Sequence, residues 1–371
     1  MNQNLIDRLE RERVLSKDAF VRLLAEMTED DRKYAAYKAA GISKKYYGNQ
    51  IYVRGLIEFT NICRNDCYYC GIRKGNSGIK RYRLSREEIL SCCEQGYQLG
   101  FRTFVLQGGE DGFFTDDVLL RIVRDIRNGF PDCAITLSVG ERSPESYRRL
   151  KEAGADRYLL RHETAEKRHY EKMHPVEMSF ENRRNCISAL KELGFQTGCG
   201  FMVGSPFQTF ESLAEDLLYI HEVKPEMVGI GPFLPQKDTP FREEKLYEME
   251  KHGTNIGLAS LVPKEKMNLT VFLLSILRIM ERDILLPATT ALATIDRNGR
   301  KMGVLAGANV VMPNLSPLSV RDDYALYDNK VNRGDEAAEG REKLEKEMES
   351  IGYRVVTDIG NICREGDWRN G

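Results

Sequence analysis

Three cysteines in the run Cys63-Arg-Asn-Asp-Cys67-Tyr-Tyr-Cys70 have the residue type and the spacing for metal chemistry. Cysteine thiolates hold iron–sulfur clusters, and three of them leave one iron of a four-iron cubane without a protein ligand. That open position can bind a small molecule. Structural zinc is the alternative, but it normally takes four protein ligands, often as two paired half-sites. Because the sequence contains no second C-x2-C pair, the motif favours a [4Fe–4S] cluster.

A second group of candidate residues is the segment Gln107-Gly-Gly-Glu-Asp111. Its two glycines permit a close approach of the backbone to a ligand, and Glu110 offers an acceptor for an ammonium group. A simple turn is the alternative reading of the glycine pair. Thr136, Ser138 and Glu141 follow at the end of the next predicted strand and add polar groups.

Arg157 and Arg161 are four positions apart on a nearly apolar predicted strand. Residues with an even spacing share one face of a strand, so both side chains are predicted to point the same way. Charged residues are rarely buried without partners. The pair therefore predicts either an anionic ligand or an internal salt-bridge network with Glu163 and Glu141.

Hydrolytic chemistry has no candidate machinery, because no Ser-His-Asp or Cys-His pairing is suggested by position. His174 is predicted at the C-terminal end of a helix rather than as a base. His169, His221 and His252 lie on polar helical stretches and are predicted at the surface.

The elements that must position these groups alternate between short β-rich runs and helical patterns. Eight such units over about 260 residues match the size of a (β/α)8 barrel, in which functional groups collect at the C-terminal ends of the strands. A doubly wound open sheet is the less favoured alternative. The predicted strands are 51–59, 101–106, 134–139, 157–161, 196–203, 227–233, 285–292 and 309–312.

The sequence predicts an α/β fold in three parts. Residues 1–50 form an N-terminal helical segment, with a capping box at Thr28-x-x-Asp31. Residues 51–330 form the barrel. Residues 331–371 form a charged C-terminal extension, in which 334–350 reads as an exposed helix or mobile tail and 353–356 as a short strand.

Composition limits the class of protein. The 371 residues are 42% hydrophobic and 30% charged, with a net charge of −1, so no global field attracts nucleic acid or an anionic membrane. The longest apolar run, 269–280, is too short to span a bilayer and contains Arg278. The polar N-terminus does not predict a secretory signal. Nine cysteines in such a chain favour metal or redox work in the cytoplasm over disulfides.

The cysteine motif with Tyr69 before its third cysteine, the Gly-Gly-Glu run and the barrel pattern together resemble the radical S-adenosylmethionine enzymes. The resemblance covers about residues 30–330, and biotin synthase and methylornithine synthase are more distant relatives. Eight longer motifs are similar to those of the radical enzymes of [FeFe]-hydrogenase maturation: Ile57-Glu-Phe-Thr-Asn-Ile-Cys63, Lys80-Arg-Tyr-Arg83, Gln107-Gly-Gly-Glu-Asp111, Ala155-Asp-Arg-Tyr-Leu-Leu-Arg-His-Glu-Thr-Ala165, Ser179-Phe-Glu-Asn-Arg183, Met227-Val-Gly-Ile-Gly-Pro-Phe233, Pro287-Ala-Thr-Thr-Ala291 and Ala308-Asn-Val-Val-Met-Pro-Asn314.

The resemblance implies that Cys63, Cys67 and Cys70 ligate one [4Fe–4S] cluster whose fourth iron chelates S-adenosylmethionine. Reduction of the cluster then releases methionine and a 5′-deoxyadenosyl radical. The residues implied to contact S-adenosylmethionine are Tyr69, Gly109, Glu110, Ser138, Glu163 and Arg183. The residues implied to line the substrate cavity are Thr136, Arg157, Arg161, Thr289, Thr290, Tyr324 and Tyr327.

The resemblance also implies partners. The substrate is expected to be a small sulfur-containing or organometallic molecule, such as a cysteine-bound iron carbonyl cyanide species. A ferredoxin or flavodoxin is expected as the reductant, and other hydrogenase maturases are candidate partners. Only Cys363 lies near the C-terminus, so one cluster is predicted, whereas some family members carry a second.

The segment 314–324 diverges from the family pattern at the substrate end, which leaves substrate identity more open than cofactor identity. A radical mutase or sulfur-insertion enzyme acting on an amino-acid-derived substrate stays as the alternative. A non-catalytic iron–sulfur scaffold or electron carrier is the third class.

Overall fold

The structure, a computed structural model, describes residues 2–330 and 337–364. The strands are β1 Gln50–Val53, β2 Gly55–Thr60, β3 Thr103–Gly108, β4 Ala134–Ser138, β5 Arg157–Leu159, β6 Gln196–Cys199, β7 Met202–Val203, β8 Met227–Val228, β9 Gly231–Pro232, β10 Val310–Val311 and β11 Arg354–Val356. The helices are α1 Asn2–Glu12, α2 Lys17–Ala25, α3 Glu29–Tyr47, α4 Arg86–Gln98, α5 Asp116–Gly129, α6 Pro144–Glu152, α7 Lys167–Met173, α8 Phe180–Glu192, α9 Phe210–Val223, α10 Glu243–Lys251, α11 Pro263–Met280, α12 Thr290–Ile295, α13 Gly299–Leu305, α14 Leu318–Arg321 and α15 Ala337–Glu349.

The strands form a parallel barrel of the (β/α)8 type. Six of them pair in the order β2-β3-β4-β5-β6-β8. The ring continues through bridges from Met227 to Leu285 and from Pro287 to Val310, and it closes through a bridge from Asn314 to Leu56. Helices lie between the successive strands, as expected for this fold. The carboxyl ends of all these strands therefore meet at one mouth.

Four predicted strands are interrupted in the structure. The segment 196–203 is divided into β6 and β7, and the segment 227–233 is divided into β8 and β9. The segment 51–59 is interrupted at Arg54, and β1 also pairs with β10 and β11. The segment 285–292 contributes only the bridges at Leu285 and Pro287, because a helix, α12, begins at Thr290. Glycine, proline and threonine at these positions favour turns and helix starts over a continuous strand.

The two ends of the chain pack against the barrel. The N-terminal helix α3 lies against α11 and starts with the predicted Thr28–Asp31 capping box. The predicted strand at 353–356 is confirmed as β11, which pairs with β1. The charged segment forms α15, whose Leu344 and Met348 are buried, so this stretch is a packed helix rather than a mobile tail. Residues 331–336 and 365–371 of the predicted extension lie outside the described residues.

None of the helices in the described part of the chain is long and apolar enough to cross a membrane.

Candidate functional site

The three cysteines lie on the loop that follows β2, at the carboxyl end of the barrel. All three line one cavity of about 390 Å³ in the barrel mouth. A turn with a hydrogen bond from Cys70 N to Cys67 O (3.3 Å) holds the loop, and the backbone N–H of Glu110 donates to Cys63 Sγ over 3.4 Å. The loop after β3 therefore supports the loop that carries the cysteines.

Burial favours the protonated form of all three thiols. Burial raises the pKa of Cys63 and Cys67, and it raises the pKa of Cys70 to about 12. Thiolates in such surroundings need nearby positive charge, which coordinating metal ions supply. Within residues 2–330 and 337–364, no three Cys, His, Asp or Glu side chains converge closely enough to hold one metal ion. A cluster takes one thiolate on each of several irons, so its cysteines need not converge on one point.

Gly109 and Glu110 lie beside the cysteine loop. A Cβ on Gly109 would stand 2.3 Å from Ile62 O and 2.7 Å from Cys63 Cβ, so the two loops approach too closely for any other residue type. Glu110 accepts a hydrogen bond from Glu141 N (2.9 Å) and pairs with Arg64 at 2.8 Å. It lines the cavity and also borders a neighbouring surface cleft of about 610 Å³.

Glu163 is one of the acidic residues that line the cavity. Its Oε2 is buried and has no hydrogen-bond partner among the described residues, although Arg161 Nη2 lies 3.4 Å away. Arg183 pairs with Glu141 at 2.5 Å and donates to Arg161 O. The predicted salt-bridge network thus exists in part, through Arg161–Glu163 and Arg183–Glu141, and Glu163 Oε2 takes part in its ion pair without a hydrogen bond among the described residues.

Tyr69 forms an aromatic wall of the same cavity. Its hydroxyl lies 3.1 Å from His174 Nε2, and His174 Nδ1 lies 2.9 Å from Tyr170 O. Since a carbonyl only accepts, Nδ1 carries the proton and Nε2 accepts from Tyr69. Burial lowers the pKa of His174 to about 3, which keeps the ring neutral. His174 caps the C-terminus of α7, as predicted.

His169 departs from the surface position expected for it. Its side chain is buried, with Nε2 3.0 Å from Pro206 O. The polar helix α7 that carries it packs this residue inward, against the segment after β7.

The prediction that Arg157 faces the substrate cavity is wrong. Arg157 begins β5, so its side chain lies at the opposite, N-terminal end of the barrel, fully buried. Its guanidinium donates to Thr103 Oγ1 and Gln196 Oε1. It also donates to the C-terminal segment, at Ile359 O, Gly360 O and Asn361 Oδ1. All of these acceptors belong to the chain itself, so Arg157 has a structural role.

The structure brings the other predicted substrate residues to the cavity. They are Thr136, Arg161, Thr289, Thr290, Tyr324 and Tyr327, and Ser138 lines the same space. Thr136 Oγ1 and Thr289 Oγ1 are buried without a hydrogen-bond partner in the part of the chain that is described. Gln107 Nε2 donates to the Tyr324 hydroxyl over 3.3 Å. The two threonine hydroxyls are free to bond a ligand.

Three cavity residues escaped the sequence analysis. Arg54 is 5% exposed, and its Nε and Nη2 have no hydrogen-bond partner among the described residues. Glu58 is almost fully buried and pairs with Lys330 at 2.5 Å, while Asn314 donates to its other oxygen. Arg54 and Glu58 could have been recognised in the sequence, because they are charged residues in the otherwise apolar first predicted strand.

The comparisons with known proteins agree with this geometry. The sequence model of the Radical SAM superfamily matches residues 57–220. The chain is 42% identical to the "[FeFe] hydrogenase maturase subunit HydE" of Thermotoga maritima, over 89% of this chain and 88% of that protein. It is 30% identical to the "3-methylornithine synthase" of Methanosarcina acetivorans, over 86% and 85%.

Solved structures share the fold. A crystal structure of methylornithine synthase superposes with a TM-score of 0.77 at 24% identity, covering 95% of this chain and 97% of that one. The [FeFe]-hydrogenase maturase HydG superposes with a TM-score of 0.73 at 17% identity, covering 96% and 76%. At these identities the likeness concerns the fold. The sequence match to HydE carries the assignment, and the chain belongs to the radical SAM superfamily and, within it, to the HydE family of hydrogenase maturases.

Proposed function

We propose that this chain reductively cleaves S-adenosylmethionine and directs the resulting radical onto a small sulfur-containing or organometallic substrate during assembly of the [FeFe]-hydrogenase cluster. The observation that carries the proposal is a loop of three cysteines at the barrel mouth, lining one cavity with unpaired polar groups. The 42% identity to HydE over most of both chains supports the biological context.

Cys63, Cys67 and Cys70 would hold a [4Fe–4S] cluster, and the donor set fits one. When bound, the cluster supplies an electron to the sulfonium of S-adenosylmethionine and so produces the 5′-deoxyadenosyl radical. The chain itself binds, orients and excludes water. Gly109 allows the two loops to approach closely, and Glu110 is held by Glu141 N in place beside the cysteines.

Glu163 and Arg183 are the proposed contacts to the nucleotide. The Glu163 carboxylate, whose Oε2 makes no hydrogen bond among the described residues, would accept hydrogen bonds from ligand hydroxyl or ammonium groups. The ion pair with Glu141 fixes the Arg183 side chain in the cavity wall. Tyr69, locked by its hydrogen bond to His174, supplies a flat apolar surface for a ring.

The substrate end of the cavity suits an anionic group. Lys330 is neutralised by Glu58, and Arg161 lies near Glu163. Arg54 makes no ion pair among the described residues. Its Nη1 donates to Met227 Sδ over 2.9 Å, and its Nε and Nη2 have no hydrogen-bond partner there. With the hydroxyls of Thr136 and Thr289, this arginine offers donors to a carboxylate or cyanide group. We further propose that a ferredoxin or flavodoxin supplies the electron, and that the protein contacts other hydrogenase maturases.

We also propose that the protein works in the cytoplasm. All nine cysteines are free thiols in the structure, and reducing compartments keep thiols in that state.

The test is anaerobic reconstitution followed by addition of S-adenosylmethionine and dithionite. The EPR signal of the reduced cluster is expected to change on addition of the nucleotide, and 5′-deoxyadenosine is expected as a product. Cys67→Ala should abolish cleavage. Cys363→Ala is the matched control and should retain it, because Cys363 lies in the C-terminal segment beside Tyr47. Equal loss in both variants would refute the ligand assignment.

A second candidate function is a radical mutase acting on an amino-acid-derived substrate. Its support is the 30% identity to a 3-methylornithine synthase over most of both chains. Complementation separates the two candidates: the wild-type chain should restore hydrogenase activity to a maturation mixture that lacks its HydE protein. Failure to restore activity, together with turnover of a free amino acid, would favour the mutase.

A further inference from the structure

Glu163 has an unusual backbone conformation for a residue with a side chain. Its φ is +65°, in the left-handed region that favours glycine. Strained residues of this kind persist only where the surrounding structure holds them, and they concentrate at functional sites. What holds Glu163 is therefore part of how the cavity works.

Two neighbours of Glu163 are tied to one buried carboxyl group. Asp216, on α9, accepts a hydrogen bond from Ala165 N over 2.6 Å and lies 3.3 Å from His162 Nε2. On its other side, His162 Nδ1 accepts from Gly200 N over 3.2 Å. Because Nδ1 accepts, Nε2 carries the proton and donates to Asp216. Asp216 and His162 are both almost fully buried.

The backbone of Glu163 is fixed between these two ties. Glu163 N donates to Gly200 O over 3.0 Å, so Gly200 contacts both His162 and Glu163. A Cβ on Gly200 would stand 2.0 Å from Gly229 O, so the backbone of Gly200 packs directly against that of Gly229. The ring of His162 packs against Tyr219 at 4.9 Å and Phe201 at 5.8 Å. The turn 162–165 is thus bound to Gly200, directly after β6, on one side and to α9 on the other.

We propose that Asp216 and His162 are positioning residues that hold Glu163 in its left-handed conformation and so place its carboxylate in the cavity wall. The inference rests on the proposed role of Glu163 in binding S-adenosylmethionine. Asp216 itself does not line the cavity, so it acts through the turn and not by contact with the ligand. Its Oδ2 has no hydrogen-bond partner among the described residues, and its one bonded oxygen provides the anchor.

The experiment measures S-adenosylmethionine affinity by titrating the EPR signal of the reduced, reconstituted enzyme, with iron content determined for each variant. Asp216→Leu removes the acceptor at similar volume. It is expected to weaken binding about five- to a hundredfold, the range for leaving a buried donor without its acceptor. Asp216→Asn keeps an acceptor oxygen and should bind nearly as the wild type does. Burial raises the pKa of Asp216, so a neutral amide is a fair substitute.

Two further variants separate positioning from a general loss of structure. His162→Phe keeps the ring packing but removes both hydrogen bonds, and it should weaken binding like Asp216→Leu. Asn309→Leu is the matched control, because Asn309 is also buried and accepts from a backbone N–H, that of Leu286. It lies near the N-terminal end of the barrel and should leave the affinity unchanged even where it lowers stability.

A double-mutant cycle decides the route of the effect. In a Glu163→Gln background, Asp216→Leu should cost little more affinity, because the residue that it positions is already altered. An undiminished loss in that background would overturn the inference, as would equal binding by Asp216→Leu and wild type, or equal loss in Asp216→Asn and Asp216→Leu. A wild-type signal unchanged by S-adenosylmethionine would instead refute the proposed function, on which the inference rests.

Discussion

Replacing Gly109 by alanine tests the close approach of the β3 loop to the cysteine loop. The added Cβ would lie 2.3 Å from Ile62 O, 2.8 Å from Ile62 C and 2.7 Å from Cys63 Cβ, where ordinary contacts are 3.4–4 Å. Two of these atoms belong to the backbone, so no rotamer change relieves the overlap. The loops must separate by about 1 Å, at a cost of about 1–3 kcal/mol for an overpacked site.

The displacement falls on Cys63 and on the N–H of Glu110 that donates to its sulfur. Gly109→Ala is therefore expected to reconstitute with less iron and sulfide than the wild type. A misplacement of about 1 Å can cost a hundredfold in rate, so 5′-deoxyadenosine formation should fall about a hundredfold per cluster. Both quantities are measured after anaerobic reconstitution, with EPR as the check on the cluster type.

Gly112→Ala is the matched control, since a Cβ at Gly112 in the same loop meets nothing within 4 Å. It should reconstitute and cleave like the wild type. Full cluster content and an unchanged cleavage rate in Gly109→Ala would refute the argument, because they would show that the loops separate without consequence.

Three other substitutions have defined outcomes. Arg157→Met should lower the unfolding free energy in urea by about 3 kcal/mol or more and expose the C-terminal segment to protease, yet leave S-adenosylmethionine affinity intact; lost affinity with unchanged stability would restore a ligand role. Burial lowers the pKa of His169 to about 4 from 6.5, so the unfolded chain binds more protons between those values and stability falls as pH drops through that window. His169→Gln should reduce the change of the unfolding free energy with pH by up to about 1.4 kcal/mol per pH unit. Urea titrations at pH 7 and 5.5 measure this change, and an equal change in the variant and the wild type would contradict the prediction. Glu163→Gly should leave the chain at least as stable, since it relieves about 1 kcal/mol of left-handed strain, while S-adenosylmethionine binding is lost; retained binding would count against Glu163.

The cluster loop and the barrel could be predicted because their signals are local. The cysteine spacing is contained in eight residues, and each strand–helix unit has its own pattern of apolar residues. The capping box that starts α3 is likewise set by two residues three positions apart, and it is present. The closure of the ring was harder to predict, because the seventh position consists of two isolated bridges at Leu285 and Pro287.

The position of Arg157 could not be predicted from the periodicity of the strand alone. The strand period places Arg157 and Arg161 on one face, but a strand rises about 3.3 Å per residue. Four residues therefore separate the two side chains by about 13 Å along the strand, which is enough to place them at opposite ends of the barrel. The partners of Arg157 at Ile359 and Gly360 come from the far end of the chain. No local sequence pattern predicts this contact between β5 and the C-terminal segment.

The same reasoning explains why the cofactor end was easier to predict than the substrate end. Contiguous motifs supply the cysteines and the Gly109–Glu110 pair, whereas the substrate end combines single residues from several strand ends. Arg54 and Lys330 each resemble an ordinary strand or surface residue in sequence. Only the closed ring brings them to one cavity, where the first has unused donors and the second is neutralised by Glu58. The charge that a substrate meets is thus a property of ring closure, and it cannot be assigned from any one segment.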